Sequence, residues 1–279
     1  MPLYRLRYLA SRRSPTQYRS VSGRYWSRGW IDLETRDFIG KSVDDTLYLL
    51  PEAAKAVAQV TPPDDLVLEL AFFEGSGTTA HDSSKYGNHG TIYGAVWQEK
   101  DGVMALYFDG VDDYVEVPDS PELNPSYITI VVLLKVFEPM SGKLVSKWGE
   151  PYGSGGYLLQ LLSDGNLRFA IGDGSVKKFD TTYRIKANEW YIIHAVHDGT
   201  MKIYINGMQD PNTLSAAAIQ TISYNLYIGR NVAESEPLDK PTHGLFAFVQ
   251  ILNRGLTETE IQNQVVAVKQ VLTLGEVIT

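Results

Sequence analysis

Residues 105–119 contain two short strand patterns joined by a turn, and they constrain the fold more than any other stretch of this chain. Leu106 and Phe108 lie two residues apart, which is typical of a half-buried strand. Asp109-Gly110 predicts a turn, because glycine adopts positive φ freely and aspartate hydrogen-bonds to its own backbone. Alternation then resumes as far as Pro118, which has no N–H donor and predicts the end of a strand or a sheet edge.

Similar strand patterns recur along most of the chain. Ile128–Val136 is a continuous apolar run, which predicts a central strand buried between two sheets. Tyr157–Leu161 and Leu167–Ile171 predict a hairpin. A capping box that begins at Thr257 predicts a closing helix that ends near Leu272. The other predicted strands are Leu66–Gly75, Leu144–Trp148, Glu189–Gly199, Met201–Gly207, Asn225–Arg230 and Gly244–Leu256.

Three stretches resemble motifs of a known family: Leu106–Asn124 (LYFDGVDDYVEVPDSPELN), His81–Thr91 (HDSSKYGNHGT) and Gly244–Leu256 (GLFAFVQILNRGL). The family is the LamG-like, concanavalin A-like lectin-glucanase jelly-roll family, and the resemblance covers residues 66–268 approximately. It implies an all-β fold, an antiparallel two-sheet jelly-roll sandwich. To this fold the sequence adds a small N-terminal extension with a short helix and the C-terminal helix.

The sequence predicts three segments. A helix predicted at Pro51–Val60 is broken at Thr61–Asp65, which contains two prolines and marks a linker. Residues 1–63 are therefore predicted to form a basic, aromatic docking arm, residues 64–272 the LamG-like jelly-roll domain, and residues 273–279 a C-terminal tail. Within the arm, Tyr4–Tyr8 alternates in the manner of an amphipathic strand.

The N-terminal arm is basic although the chain as a whole is acidic. Residues 1–30 contain seven arginines and no lysine, aspartate or glutamate, while the net charge of the whole chain is −8. A basic arm on an acidic body predicts an interaction segment. Arginine, tyrosine and tryptophan are enriched at protein–protein hot spots, which favours docking on other structural proteins or on copies of this chain. The predicted docking residues are Arg5, Arg7, Arg12, Arg13, Tyr18, Arg19, Arg24, Trp26, Arg28 and Trp30.

A nucleic-acid interpretation of the arm is the alternative. Arginines would contact phosphates, and Tyr18, Tyr25, Trp26 and Trp30 would stack on bases. The basic residues are interleaved with other types and form no dense run, so protein docking is favoured over nucleic acid.

Several classes of chemistry are excluded or disfavoured. The chain has no cysteine, which excludes disulfides and thiolate chemistry. Retaining glycosidases need two carboxyl groups about 5–5.5 Å apart. The nearest candidates, Glu116, Asp119 and Glu122, are spaced by three and interrupted by prolines, so they cannot share a strand face. Neither a Gly-x-Ser-x-Gly elbow nor a phosphate-binding loop occurs. We predict that the chain is not an enzyme.

The family resemblance also implies a calcium site, which would use the carbonyl of Gly110 and an aspartate in the last strand. The aspartate position is Ala247 in this chain, which removes a charged ligand. Asp109, Asp112 and Asp113 suggest either a different cation site or an acidic turn, and the turn is the simpler interpretation. We predict that no metal or other cofactor is required.

A second metal hypothesis concerns the loop that contains His81, Asp82 and His89. Closed zinc sites need four ligands at defined spacing, so turn-stabilising side chains are the favoured interpretation. Trp190 and His194 lie in a predicted strand, where packing is favoured over a role in a site.

The combination of features predicts a non-catalytic structural and surface-binding protein. We favour a virion surface component, a capsid decoration or tail protein that oligomerises, is anchored by its arm and serves host attachment. The alternative is a carbohydrate-binding lectin module, and nucleic-acid binding by the arm is the weaker one. The residues predicted to bind carbohydrate are Trp148, Tyr152, Tyr157, Arg230 and Asn231, around a glycine-rich loop.

The expected location follows from the same features. No apolar run approaches the roughly 20 residues that span a bilayer, and residues 1–30 contain no apolar core of a secretory signal. We therefore expect the virion surface, with non-classical export or the cytoplasm as alternatives, and no membrane span.

Overall fold

A computed structural model describes residues 17–19, 25–27, 64–138, 141–149, 155–230 and 241–277, and every strand pair in it is antiparallel. In chain order the strands are β1 (Gln17–Arg19), β2 (Tyr25–Ser27), β3 (Leu66–Ala71), β4 (Thr79–Ala80), β5 (Gly90–Tyr93), β6 (Val96–Lys100), β7 (Val103–Asp109), β8 (Tyr114–Val117), β9 (Ile128–Val136), β10 (Gly142–Trp148), β11 (Gly156–Leu161), β12 (Asn166–Gly172), β13 (Val176–Arg184), β14 (Trp190–His197), β15 (Thr200–Ile205), β16 (Met208–Gln209), β17 (Leu214–Ser215), β18 (Leu226–Ile228) and β19 (His243–Leu252). A short 3-10 helix, Pro121–Leu123, follows β8, and the helix α1, Glu258–Val277, follows β19.

Two large sheets form a sandwich, as the sequence predicts. The front sheet has eight strands in the order β13-β12-β11-β10-β18-β8-β5-β4. The back sheet has nine, in the order β16-β15-β14-β9-β19-β7-β6 with β17 beside β15 and β3 beside β19. Their inner faces meet in one apolar core, to which the back sheet contributes Phe108 and Val132 and the front sheet contributes Val115, Leu159 and Phe169.

The Asp109-Gly110 turn links the two sheets. β7 lies in the back sheet and β8 in the front sheet, so the two strand patterns of this stretch are not partners in a hairpin. Gly110 has φ +80°, and a Cβ on it would lie 2.8 Å from the Cβ of His243. The turn therefore requires glycine for its backbone conformation and for the close approach of β19.

The other strand predictions agree with the structure. Ile128–Val136 is β9, which lies between β14 and β19 and is buried along its whole length. The predicted hairpin is β11–β12, with Leu159 opposite Phe169. The two strands around Gly199 pair as β14–β15.

Helix α1 covers part of the outer face of the back sheet. It starts at the predicted capping box, where Glu260 Oε2 accepts from the backbone N–H of Thr257 at 2.7 Å. It continues to Val277, so the predicted end near Leu272 is wrong by about one turn and the predicted tail begins inside the helix. Ile261, Val265 and Val268 on α1 pack into a second apolar cluster with residues of the back sheet.

Most of the N-terminal arm lies outside the described residues, including the predicted strand Tyr4–Tyr8 and the predicted helix Pro51–Val60. Within it, β1 and β2 pair, with Tyr18 opposite Trp26. In the described part of the chain no helix is long and apolar enough to cross a bilayer.

Candidate functional site

Aromatic and polar side chains share the outer face of the front sheet. Alternation along β5, β8 and β18 directs Ile92, Val115 and Ile228 into the core. Their neighbours therefore project from the opposite face of the sheet. The cross-strand register places Tyr93 opposite Tyr114, Thr91 opposite Glu116, and Glu116 opposite Tyr227. We call the set Tyr93, Tyr114, Glu116, Asn225, Tyr227 and Arg230 the tyrosine face.

The tyrosine rings form a packed row. The rings of Tyr93 and Tyr114 stack with centroids 4.6 Å apart and an interplanar angle of 16°. The Tyr227 ring lies 6.0 Å from Tyr114 at 45°, and the guanidinium of Arg230 lies 5.0 Å from the centroid of Tyr114. Tyr93 ends this row and is 41% exposed. Its partners hold the ring in place while part of its surface remains open to solvent.

A carboxylate with fixed hydrogen bonds adjoins these rings. Glu116 Oε1 accepts from Asn225 Nδ2 at 2.6 Å and from the hydroxyl of Tyr227 at 2.9 Å. Asn225 Oδ1 in turn accepts from the backbone N–H of Asp119 at 2.9 Å. Desolvation, together with the hydrogen bond to Glu116, raises the pKa of Tyr227 to about 12, so its hydroxyl stays protonated at neutral pH. The carboxylate, the amide and the hydroxyl are thereby held in one orientation.

An apolar patch continues the same face. Trp148, Leu158 and Ala170 belong to three adjacent strands, β10, β11 and β12, and form a small cluster of their own. Trp148 is 6% exposed, so its ring is packed and does not stand free as the carbohydrate prediction required.

The prediction that Tyr157 binds carbohydrate is wrong, because this side chain is buried. It alternates with Leu158, points into the core and is 1% exposed, and its hydroxyl donates to the carbonyl of Leu123 at 3.2 Å. Burial raises the pKa of its hydroxyl. Tyr157 therefore cannot stack on an external sugar. Arg230 lies on the tyrosine face, and Tyr152 and Asn231 lie outside the described residues.

The docking prediction for the arm receives no test from the structure. Tyr18, Arg19 and Trp26 belong to β1 and β2, of which only the backbone is described. The other predicted docking residues lie outside the described ranges.

Both groups of residues considered as metal ligands lie in turns that are stabilised by their own hydrogen bonds. Asp109, Asp112 and Asp113 each place one oxygen within 4.8 Å of the others. Asp113 Oδ2 accepts from the backbone N–H of Asp109 at 2.8 Å, which is the geometry of a turn. The calcium site that the family resemblance implies lacks its aspartate in this chain, because that position is Ala247, which is fully buried in the apolar cluster under α1.

The histidine loop is similarly self-contained. His89 Nδ1 accepts from the backbone N–H of Asp82 at 3.0 Å. Asp82 itself accepts from the backbone N–H groups of Glu69, Ser84 and Asn88 at 2.7–2.9 Å. These bonds agree with the turn-stabilising interpretation.

The three carboxylates considered for catalysis lie on different elements and do not share one strand face. Glu116 projects outward from β8, Asp119 lies beyond the end of that strand, and Glu122 belongs to the 3-10 helix. Asp119 Oδ1 is 2.6 Å from Lys147 Nζ and is engaged in this ion pair. His194, expected to pack, is fully buried, and its Nε2 lies 2.9 Å from Gln264 Oε1.

The sequence patterns alone do not predict that Tyr93, Tyr114, Glu116, Asn225 and Tyr227 form one site. Alternation along each strand already places these side chains on the face opposite the core: Tyr93 on β5, Tyr114 and Glu116 on β8, and Tyr227 on β18. What brings them together is the order of β5, β8 and β18 in the sheet, which connects residues far apart in sequence.

Comparisons with known proteins agree with this architecture. Residues 96–262 match the profile of a family described as the concanavalin A-like lectin/glucanases superfamily. A search of curated proteins gave no significant match.

Several solved structures have a similar fold. The binding domain of Paraclostridial Mosquitocidal Protein 1 matches with a TM-score of 0.58 and 17% identity over 73% of this chain and 52% of that one. Domain 4 of AbnA, an extracellular arabinanase from Geobacillus stearothermophilus solved with arabinotriose, matches with a TM-score of 0.58 and 17% identity over 72% of this chain and 98% of that one. Botulinum neurotoxin type C, whose cell entry depends on two ganglioside molecules, matches with a TM-score of 0.56 and 16% identity over 76% of this chain and 52% of that one. The chain thus spans about half of the first and third of these proteins, and at such identities the likeness shows the fold alone.

Proposed function

This chain belongs to the concanavalin A-like lectin/glucanases superfamily, and from that premise we propose that it binds saccharides on its tyrosine face without hydrolysing them. The observation that carries the proposal is the partly exposed ring of Tyr93, stacked on Tyr114 beside the fixed Glu116 carboxylate. No conformational search is needed to assemble these groups, because neighbouring strands already hold them.

The chemistry of the face suits a hydroxyl-rich ligand. A sugar ring has an apolar C–H face that can cover an aromatic ring, and hydroxyls at its edge that need hydrogen-bond partners. Tyr93 offers the aromatic surface, while Glu116 and Asn225 offer acceptors and donors. The arabinotriose bound to the arabinanase domain and the gangliosides used by the neurotoxin support saccharide as the class of ligand.

The absence of catalysis is also part of the proposal. Glu116 is held by two neutral donors, and Asp119 is paired with Lys147. A glycosidase needs a second carboxyl group at a defined distance from the first. A single oriented carboxylate suffices for binding.

Tyr93→Ala is the direct test. A glycan array on the parent protein identifies ligands, and calorimetry then compares the parent with the variant. We expect Tyr93→Ala to weaken binding at least about tenfold, because it removes the stacking surface. Tyr183→Ala is the matched control, since Tyr183 is 42% exposed and lies on β13 at the other edge of the front sheet. The proposal fails if the parent binds no saccharide or if the two variants bind equally well.

We also propose that residues 1–63 anchor the domain to a larger assembly, as in a virion surface component that attaches to a host. The charge contrast between the seven arginines of residues 1–30 and the acidic remainder supports this role. A deletion of residues 1–63 should leave a folded domain that no longer oligomerises or joins the assembly, measured by light scattering and co-sedimentation. Undiminished assembly would contradict docking, and salt-sensitive binding of DNA or RNA lost with the arm would favour nucleic acid.

A further inference from the structure

A buried lysine lies directly behind the tyrosine face. Lys147 is fully buried at the end of β10, where its side chain points inward. Its ammonium donates to Asp119 Oδ1 at 2.6 Å, to the carbonyl of Ile222 at 3.2 Å and to the carbonyl of Tyr224. An ammonium has three N–H donors, so these three oxygens satisfy it completely.

The three acceptors come from the two segments that carry the polar part of the tyrosine face. Asp119 follows β8, the strand of Glu116, and Ile222 and Tyr224 immediately precede Asn225. Asn225 bridges the same two segments, because its Oδ1 accepts from the Asp119 N–H and its Nδ2 donates to Glu116. The ammonium and the Asn225 amide therefore hold the same junction from the inside and from the outside.

We propose that Lys147 is a positioning residue of the tyrosine face, which fixes Asn225 and through it the carboxylate of Glu116. The inference rests on the proposed saccharide site for its functional meaning. Its structural part, that the ammonium fixes the two segments joined by Asn225, depends only on the hydrogen bonds of Lys147 and Asn225.

The charge itself supports a positioning role. Burying an ammonium has a large desolvation cost, and apolar residues of similar volume often stabilise a protein as well or better than a buried ion pair. Leu158 and Tyr157 on the paired strand show that apolar packing is available nearby. What an apolar residue cannot do is bind two carbonyls and a carboxylate from separate segments at once.

Lys147→Met tests the inference, with Lys135→Met as a matched control. Lys135 is also a largely buried lysine that pairs with an aspartate, Asp101 at 2.5 Å, but it lies in the back sheet. Both variants should lose stability. At a temperature where both are folded, we expect Lys147→Met to weaken saccharide binding about tenfold and Lys135→Met to leave it unchanged.

A second readout needs no ligand. The Asp119 amide donates to Asn225 Oδ1, so its hydrogen exchange, followed by NMR, reports whether Asn225 is in place. We expect Lys147→Met to reduce protection of this amide about tenfold more than that of the β9 amides, and Lys135→Met to spare it. If Lys147→Met does not fold, the double variant with Asp119→Asn removes the unpaired carboxylate and is measured in its place.

The outcomes separate the two proposals. Unchanged protection of the residue 119 amide overturns the inference whether or not a sugar binds. Lost protection with unchanged affinity also overturns it, because Asn225 would then not matter to the ligand. A parent protein that binds no saccharide defeats the proposed function, and the exchange result alone then decides whether Lys147 fixes Asn225.

Discussion

Glu69 is a carboxyl group that the fold buries beside an amide. It lies on β3 opposite Gln250 of β19 and is 5% exposed, and Gln250 Nε2 donates to Glu69 Oε2 at 2.7 Å. Desolvation raises its pKa from 4.5 to about 7, and the single hydrogen bond from Gln250 only partly opposes this effect. Near neutral pH the folded protein therefore holds a carboxyl group that the unfolded chain ionises more readily.

This pKa predicts how stability depends on pH. A folded pKa above the unfolded value gives a stability contribution that is complete below about pH 4.5 and is lost as the pH rises through about 7. Glu69→Gln removes the titration and keeps the shape. The variant should therefore gain stability over the parent by about 2 kcal/mol more at pH 8 than at pH 5, measured by denaturant unfolding.

A control is needed because other groups titrate in the same range. Burial lowers the pKa of His194 to about 4, so His194 loses its contribution as the pH falls below 6.5. The difference in the free energy of unfolding between Glu69→Gln and the parent is free of this effect, because both proteins contain His194. Glu99→Gln is the control, because it makes the same substitution at an exposed position on β6. Equal behaviour of the two variants would contradict the assignment.

Individual side chains could be placed from sequence only where alternation was unambiguous. Tyr157 shares its face with Leu159 and Leu161, so its inward direction was available from the pattern. The glycine-rich loop beside it nevertheless suggested a sugar site. Trp148 was harder, because a register shift between Lys143 and Val145 changes the parity of its strand. A shift of one residue exchanges the faces of every side chain that follows.

At the scale of elements, local patterns predicted strands better than they predicted partners. β7 and β8 were both expected, yet they belong to different sheets. β7 pairs with β19 and β8 pairs with β5 and β18, all through contacts far apart in the chain. Such pairings depend on the complete core rather than on propensity, so the tyrosine face could not be assembled from the sequence alone.

One element departs from simple alternation in a way that affects the metal question. β19 has a register shift between Phe246 and Phe248, and both Ala247 and Phe248 face the cluster under α1. A bulge lets two successive residues share one face. An aspartate at residue 247 would therefore be desolvated among apolar side chains, which is a physical reason for alanine there.

At the scale of the whole molecule, the two outer faces of the sandwich differ in what covers them: α1 packs on the back sheet, whereas Tyr93 on the front sheet is exposed. The outer face of the back sheet carries an apolar cluster to which α1 contributes Ile261, Val265 and Val268. The outer face of the front sheet carries the tyrosine face, with Tyr93 exposed. Stacked sheets lie about 10 Å apart, so a rigid core separates the two faces. Stability and binding should then be separable by mutation.

Adjacent positions on α1 allow this separation to be tested. Val265 is 2% exposed against the back sheet, whereas Val266 is 52% exposed. Val265→Asp should lower the free energy of unfolding by about 3 kcal/mol, because it buries a charge in an apolar cluster. Val266→Asp should change it little. Below the melting temperature both variants should bind the saccharide identified for the parent with equal affinity by calorimetry. A loss of affinity in Val265→Asp alone would mean that the helix and the tyrosine face are coupled through the core, and that the front sheet is not an independent binding surface.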